Sequence, residues 1–323
     1  MALQGFQFIC LRAFVNTRSL ILRSSWLSPT TQPDYTKVYE GRADLFASRI
    51  FVPKSISEDS QQHRYPLVIC VHGGGFIVNN PSFDDPLARY LADTVRCIAV
   101  SIDYRKAPQN KFPAAYNDIV KQSLAVINDT DLPIDLQMVV LLGSSAGGNL
   151  ILAAAQHPEV RPNLTGVLAL YPLCDLVPTF ADKMASRPDP SVPDFLGSNY
   201  QNVAKLYLDQ DEHPSFTDTR LSPTHFVDRK DLPDNVLLIG TEHDLICREA
   251  EVMAEKLANG SQQTGTEFGW RTESVQWHQV KGQPHAFDHF PAKTAEEEQE
   301  RLAAKDSTYK LMCEWLKSTF ARA

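Results

Sequence analysis

The sequence predicts an α/β fold, a mostly parallel central sheet flanked by helices, on three observations. From about residue 44, short apolar runs alternate with longer segments of helical spacing, the rhythm of strands joined by crossover helices. Five of the runs are almost continuously apolar, as strands covered on both faces are. The chain, at 323 residues with 43% apolar side chains, is long enough to bury a large core in one domain spanning residues 1–323.

The elements follow in order. Phe46 to Val52 alternates partly and predicts an early, half-exposed strand. Leu67 to Val71, Ile98 to Ile102, Val139 to Leu142, Val167 to Leu170 and Val236 to Ile239 predict central parallel strands. Ser274 to Val280 alternates again, and the charged stretch from Thr294 to Phe320 predicts a terminal helix over one face. Between Asp175 and Thr224 the rhythm fails: Pro178, Pro188, Pro190, Pro193 and Pro214 interrupt Phe180, Phe195, Leu196, Tyr200, Leu206 and Tyr207. An irregular excursion of this length between core strands predicts a lid insertion over 175–224.

Residues 1–35 carry Arg12, Arg18 and Arg23, and the first acidic residue is Asp34. Phe6, Ile9, Ala13 and Leu20 stand at helix-like spacing, which fits either a helical segment lying over the substrate pocket or a basic transit peptide. The arginines interrupt every apolar run, so no stretch reaches the roughly 20 residues that span a bilayer, and no secretory cleavage pattern stands out. The expected location is cytoplasmic, with mitochondrial as the alternative.

Composition excludes some classes. A formal charge of −8 without clustered Lys and Arg argues against nucleic acid as a partner. The six cysteines, Cys10, Cys70, Cys97, Cys174, Cys247 and Cys313, are scattered, with neither C-x-x-C pairs nor a His grouping, and read as reduced core thiols. Sequons at Asn128, Asn163 and Asn259 carry weight only in a secreted protein.

The chemistry-bearing pattern is Gly143-Ser144-Ser145-Ala146-Gly147, which follows an apolar strand and precedes a helical segment, Gly148 to Gln156. A strand-to-helix turn tight enough to thrust out a nucleophilic serine needs small residues two before and two after it, which selects Ser145 over Ser144. Upstream, His72-Gly73-Gly74-Gly75-Phe76 ends the strand Leu67 to Val71. Lacking side chains, Gly74 and Gly75 can bring backbone N–H donors to a substrate carbonyl oxygen, joined by the N–H of Ala146 in an oxyanion hole. His72 reads as a structural anchor of that loop. A serine nucleophile needs a base and an orienting acid, which in this chain order follow it. Asp244, just past the strand Val236 to Ile239, is the candidate acid, with Glu242 its rival. His285, after the last strand and behind Gly282 and Pro284, is the candidate base, with His289 its rival.

Four blocks together resemble the hormone-sensitive-lipase-like family of α/β-hydrolases. They are HGGGF at 72–76, Asp103-Tyr104-Arg105-Lys106-Ala107-Pro108 continuing through Lys111-Phe112-Pro113-Ala114-Ala115 to Asp118, GSSAGGNL at 143–150, and the acid and histidine loops. The resemblance implies the α/β-hydrolase fold, the triad Ser145, Asp244 and His285, and the oxyanion donors Gly74, Gly75 and Ala146. It also implies a lid built from the N-terminal helices and the 175–224 insertion. Ser144 replaces the family's usual aspartate, Gln109 a usual glutamate and Ala286 a usual glycine; none is a triad member. Asp103 and Arg105 read as scaffold.

The function expected is hydrolysis of carboxylic esters of small or short-acyl, apolar substrates through an acyl-enzyme. No metal and no organic cofactor is called for. Two alternatives share the fold: a non-catalytic receptor for a small hydrophobic ligand, and an amidase such as a formylkynurenine formamidase.

Overall fold

The structure, a computed structural model, describes residues 31–39, 45–54, 63–197, 199–208, 215–266 and 268–323. The helical or targeting segment expected over 1–35 lies outside these up to residue 30, as does Cys10.

The described residues build one ten-stranded sheet, from β1 (Tyr35–Lys37), β2 (Ser48–Phe51), β3 (Tyr65–Val71), β4 (Ile98–Ile102), β5 (Ile134–Ser144), β6 (Gly166–Leu170), β7 (Asn235–His243), β8 (Thr264–Thr266), β9 (Gly269–Arg271) and β10 (Val275–Pro284). Their spatial order is β1-β2-β4-β3-β5-β6-β7-β10-β9-β8. The six strands from β4 across to β10 are parallel, and an antiparallel pair closes each edge. All five continuous apolar runs fall on parallel strands.

Alternate side chains explain why those runs lack polar positions. Leu67, Ile69, Leu141, Val167, Ala169, Val236 and Leu238 enter one core with helices α2 (Ala114–Ile127), α3 (Ala146–Ala154) and α6 (Cys247–Ala258). Val68, Cys70, Val140, Leu142, Leu168, Leu170, Leu237 and Ile239 enter a second core on the opposite face, under α1 (Asp85–Leu91) and α7 (Ala295–Phe320). Helix α7 presents Tyr309, Met312, Cys313, Leu316 and Phe320 to that core at helical spacing, and Thr294 caps it in a reciprocal capping box with Glu297. Each fully buried Leu, Ile or Val stabilises by about 1.5–3 kcal/mol, so the two faces together dominate folding. Five cysteines, Cys70, Cys97, Cys174, Cys247 and Cys313, are free and buried.

Strand β2 differs from its half-exposed expectation: Ser48, Ile50 and Phe51 are buried. Strand β1 covers its outer edge, and the Arg89 guanidinium of α1 lies over the Phe51 ring at 5.2 Å. Within the 175–224 insertion two short helices form, α4 (Phe180–Ala185) and α5 (Asn199–Tyr207). The Asn149 amide of α3 donates to Leu173 O at 2.9 Å and Leu221 O at 2.8 Å, pinning both ends of the insertion to one helix.

Chain order reverses at β3: β4 lies on one side of it and β5 on the other. Their carboxyl ends therefore diverge into a crevice, the place where open α/β sheets bind ligands. HGGGF leaves the end of β3, and the Ser145 turn leaves the end of β5.

Candidate active site

Ser145 sits between β5 and α3 at φ 52°, ψ −119°, backbone that side-chain-bearing residues rarely adopt. Its neighbours hold it there. Ser145 N donates to Leu170 O at 2.9 Å, while Asn149 N donates to Ser145 O at 3.0 Å. The flanking glycines are demanded by backbone contacts: a Cβ on Gly143 would stand 2.5 Å from Gly147 O, and one on Gly147 would stand 2.1 Å from Val71 O at the end of β3.

The other candidates arrive from the carboxyl ends of β7 and β10. His285 Nε2 lies 2.9 Å from Ser145 Oγ, and His285 Nδ1 lies 2.7 Å from Asp244 Oδ2. In the tautomer that donates Nδ1–H to the Asp244 carboxylate, Nε2 presents its lone pair to the serine hydroxyl. Asp244 is fully buried; Ile246 N donates to its Oδ1 at 3.1 Å and Thr241 Oγ1 to its Oδ2 at 3.3 Å. Tyr171, at the end of β6, packs edge-on against the His285 ring with centroids 4.8 Å apart, and donates its hydroxyl to Asp288 Oδ1 at 2.5 Å.

The rivals are engaged elsewhere. Glu242 pairs with Lys281 and accepts from Gly282 N at 2.8 Å, tying the end of β7 to that of β10. His289 stacks on Phe83 at 3.9 Å between ring centroids, with Nε2 3.3 Å from Asp84 and 3.5 Å from Asp288.

The glycine loop packs on the Ser145 turn. Gly73 N donates to Ser144 Oγ at 3.1 Å, so this serine serves as acceptor for the loop. Gly74, at φ 127°, could not carry a side chain: a Cβ there would lie 2.4 Å from Val78 O. The N–H groups of Gly74 and Gly75 have no hydrogen-bond acceptor among the described residues, and Ala146, as the first residue of α3, has no helical partner for its N–H. His72 is buried behind the loop, stacked on Tyr104 at 4.5 Å, with Nδ1 2.7 Å from Gly73 O and Nε2 3.2 Å from Asp103 Oδ1. Burial would raise the pKa of Asp103, but the His72 hydrogen bond and the Lys106 ammonium outweigh it and hold the pKa at about 2. Arg105 grips buried Asp118 through Nε at 2.8 Å and Nη2 at 3.0 Å.

Several residues here escape sequence reasoning. Thr241 and Tyr171 stand beside predicted strand ends, a weak signal. Val203 of α5 and Phe195, both from the insertion, reach the site by contacts no local pattern announces. Val203 Cγ1 lies 3.1 Å from where a Gly75 Cβ would be, and the Phe195 ring stacks beside His285 with centroids 6.2 Å apart.

The sequence profile of a family described as alpha/beta hydrolase fold matches residues 68–289. The chain belongs to that family. Within the alpha/beta hydrolase family, it is 31% identical over 225 residues to an arylesterase of Saccharolobus solfataricus, covering 68% of each chain. It is 32% identical over 133 residues, 40% of this chain and 38% of the other, to the AB hydrolase superfamily protein C1039.03 of Schizosaccharomyces pombe. It thus spans about two fifths of the length of that yeast relative. An esterase structure from Pyrobaculum calidifontis superposes with a TM-score of 0.74 at 24% identity, over 96% of this chain and 93% of the other. The hormone-sensitive-lipase-like resemblance read from the four blocks and the expected fold are both borne out. No helix among the described residues is long and apolar enough to cross a membrane.

Proposed function

We propose that the chain is a serine hydrolase that cleaves carboxylic esters of small or short-acyl, apolar substrates. The observation that carries this reading is the unbroken line Ser145 Oγ, His285 Nε2, His285 Nδ1, Asp244 Oδ2, at 2.9 Å and 2.7 Å. The esterases among its relatives and structural neighbours support the same reading.

In the proposed mechanism His285 Nε2 takes the Ser145 proton as Oγ attacks the ester carbonyl. Asp244 orients the ring and stabilises the imidazolium. The N–H groups of Gly74, Gly75 and Ala146 receive the negative charge that develops on the carbonyl oxygen, where donors fixed in advance are worth most. His285 returns the proton to the leaving alcohol, and water, activated by the same base, releases the acid from Ser145. The insertion over 175–224 acts as the cover of this site, with Val203 above the oxyanion loop and Phe195 beside the base. A non-catalytic receptor would have no use for a histidine with its lone pair aimed at a serine hydroxyl.

Ser145→Ala should abolish hydrolysis of short p-nitrophenyl esters while circular dichroism and thermal unfolding stay those of the parent. Full activity retained in the pure variant would overturn the assignment.

A further inference from the structure

Two large aromatic side chains, one beside His285 and the other stacked on the first, are left half-exposed: Phe195 is 49% exposed and Phe290 44%. Single exposed apolar residues need no explanation, but these two form a patch. Their rings stack on each other at 5.4 Å and 30°, and Phe195 in turn stacks beside the His285 ring at 6.2 Å and 25°.

Neither ring is loosely placed. Phe195 follows Asp194, whose side chain is buried and whose Oδ2 accepts from Leu245 N at 2.7 Å, next to the candidate acid. Asp194 Oδ1 accepts from Leu196 N and Gly197 N at 2.8 Å each, and the Arg187 guanidinium stands 3.9 Å away. The insertion is further tied down by the buried pair of Lys183 on α4 with Glu249 on α6. Phe290 leaves the turn closed by His289 N donating to Ala286 O at 3.0 Å, directly after His285. The elements that fix the acid and the base thus also fix the two rings.

Position decides what the rings meet. His285 Nε2 must hand its proton to the leaving oxygen, so the alcohol part of a bound ester lies beside the imidazole, while the acyl part stays on Ser145. The geometry points to Phe195 and Phe290 as a leaving-group platform that selects esters of alcohols carrying a flat aromatic ring. Offset stacking of planar rings adds to what apolar burial alone provides, and a saturated ring of the same carbon count forgoes that part. This inference rests on the ester-hydrolase reading above.

Benzyl acetate and cyclohexylmethyl acetate test it, since they share the acyl group and carbon count and differ little in leaving-group basicity. The wild-type enzyme should favour the benzyl ester in kcat/KM. Phe195→Leu and Phe290→Leu, which keep apolar bulk, should each lower the benzyl to cyclohexylmethyl ratio by about three- to tenfold, and Phe195→Tyr should restore it. Competition in the wild-type protein gives a second readout that needs no variant to fold: benzyl alcohol should inhibit more strongly than cyclohexylmethanol. Ratios unchanged in both leucine variants, with both esters turned over, would overturn the platform and leave the esterase standing. So would equal inhibition by the two alcohols. A wild-type protein that hydrolyses p-nitrophenyl acetate but neither test ester would overturn the platform alone, and one that hydrolyses none of the three removes the ester-hydrolase reading with it.

Discussion

Replacing Gly147 by alanine sets two effects of opposite sign against each other. Gly147 is the second residue of α3, and an alanine inside a helix ordinarily stabilises by about 0.5–1 kcal/mol relative to glycine. Here the added Cβ would stand 2.1 Å from Val71 O and 2.6 Å from His72 O, both backbone atoms. Real Cβ atoms essentially never approach closer than 3.0 Å, so α3 and the end of β3 must separate by about 0.9 Å, the difference between 3.0 and 2.1 Å. The end of β3 leads into Gly74 and Gly75, and the start of α3 carries Ala146 behind Ser145, so this separation opens the proposed oxyanion site itself. Overpacking of this kind costs about 1–3 kcal/mol, and a misplacement near 1 Å can cost about a hundredfold in rate. Gly147→Ala should therefore be less stable than the parent by about 1–3 kcal/mol in urea unfolding, with kcat on p-nitrophenyl acetate lower by about a hundredfold. Gly148→Ala is the internal comparison: its Cβ would meet the Pro172 Cβ at 2.8 Å, on the side away from the glycine loop, so its kcat should fall less. A Gly147→Ala protein with wild-type kcat and raised stability would show that ordinary helix propensity decides at this turn, refuting the argument.

Two more predictions concern the loop that carries the proposed oxyanion donors. Ser144→Ala leaves buried Gly73 N without its acceptor, which should lower stability by about 1–3 kcal/mol in chemical denaturation. It should also lower kcat more than it changes KM, because the proposed donors that the loop holds would act mainly in the transition state. A variant with unchanged kcat and stability would show that Ser144 does not anchor the loop. Asp103 has a folded pKa of about 2, below the usual carboxylate value of 3.8, so its contribution to stability is present above pH 3.8 and is lost as pH falls towards 2. That contribution is about 2 kcal/mol near neutrality, and the advantage of the wild type over Asp103→Asn should shrink by about 1 kcal/mol between pH ~5 and pH ~3. An advantage that does not change with pH in paired urea titrations would show that Asp103 is not held ionised by His72 and Lys106.

What the sequence discloses follows from how far apart the interacting residues stand. The parallel strands β3 to β7 are legible because burial on both faces leaves unbroken apolar runs; the candidates Ser145 and Asp244 are legible because each lies just past such a run, and His285 because it follows the last, alternating strand. The hairpin β8–β9 is not, since Thr264, Gly265 and Thr266 are all exposed and show no alternation. The seating of the insertion is not either: it depends on Asp194 meeting Leu245, 51 positions away, and Lys183 meeting Glu249, 66 positions away. Departures from the family pattern lie between these cases, visible in sequence while their consequence needs backbone angles. Ala286 stands at φ 57°, where a left-handed conformation costs an alanine about 1–2 kcal/mol and a glycine almost nothing. The chain bears that strain at the residue next to its candidate base. Ala286 is buried beside Phe287, and the turn it begins is closed by His289 N and anchored by Asp288 between Tyr171 and Tyr309. A stiffer residue in a turn held from both sides fixes the direction of His285 at the expense of stability, and the same rigidity holds Phe290 against Phe195. The substitution that looks least consequential in the sequence therefore sits where orientation of the base and of the proposed leaving-group platform are set together.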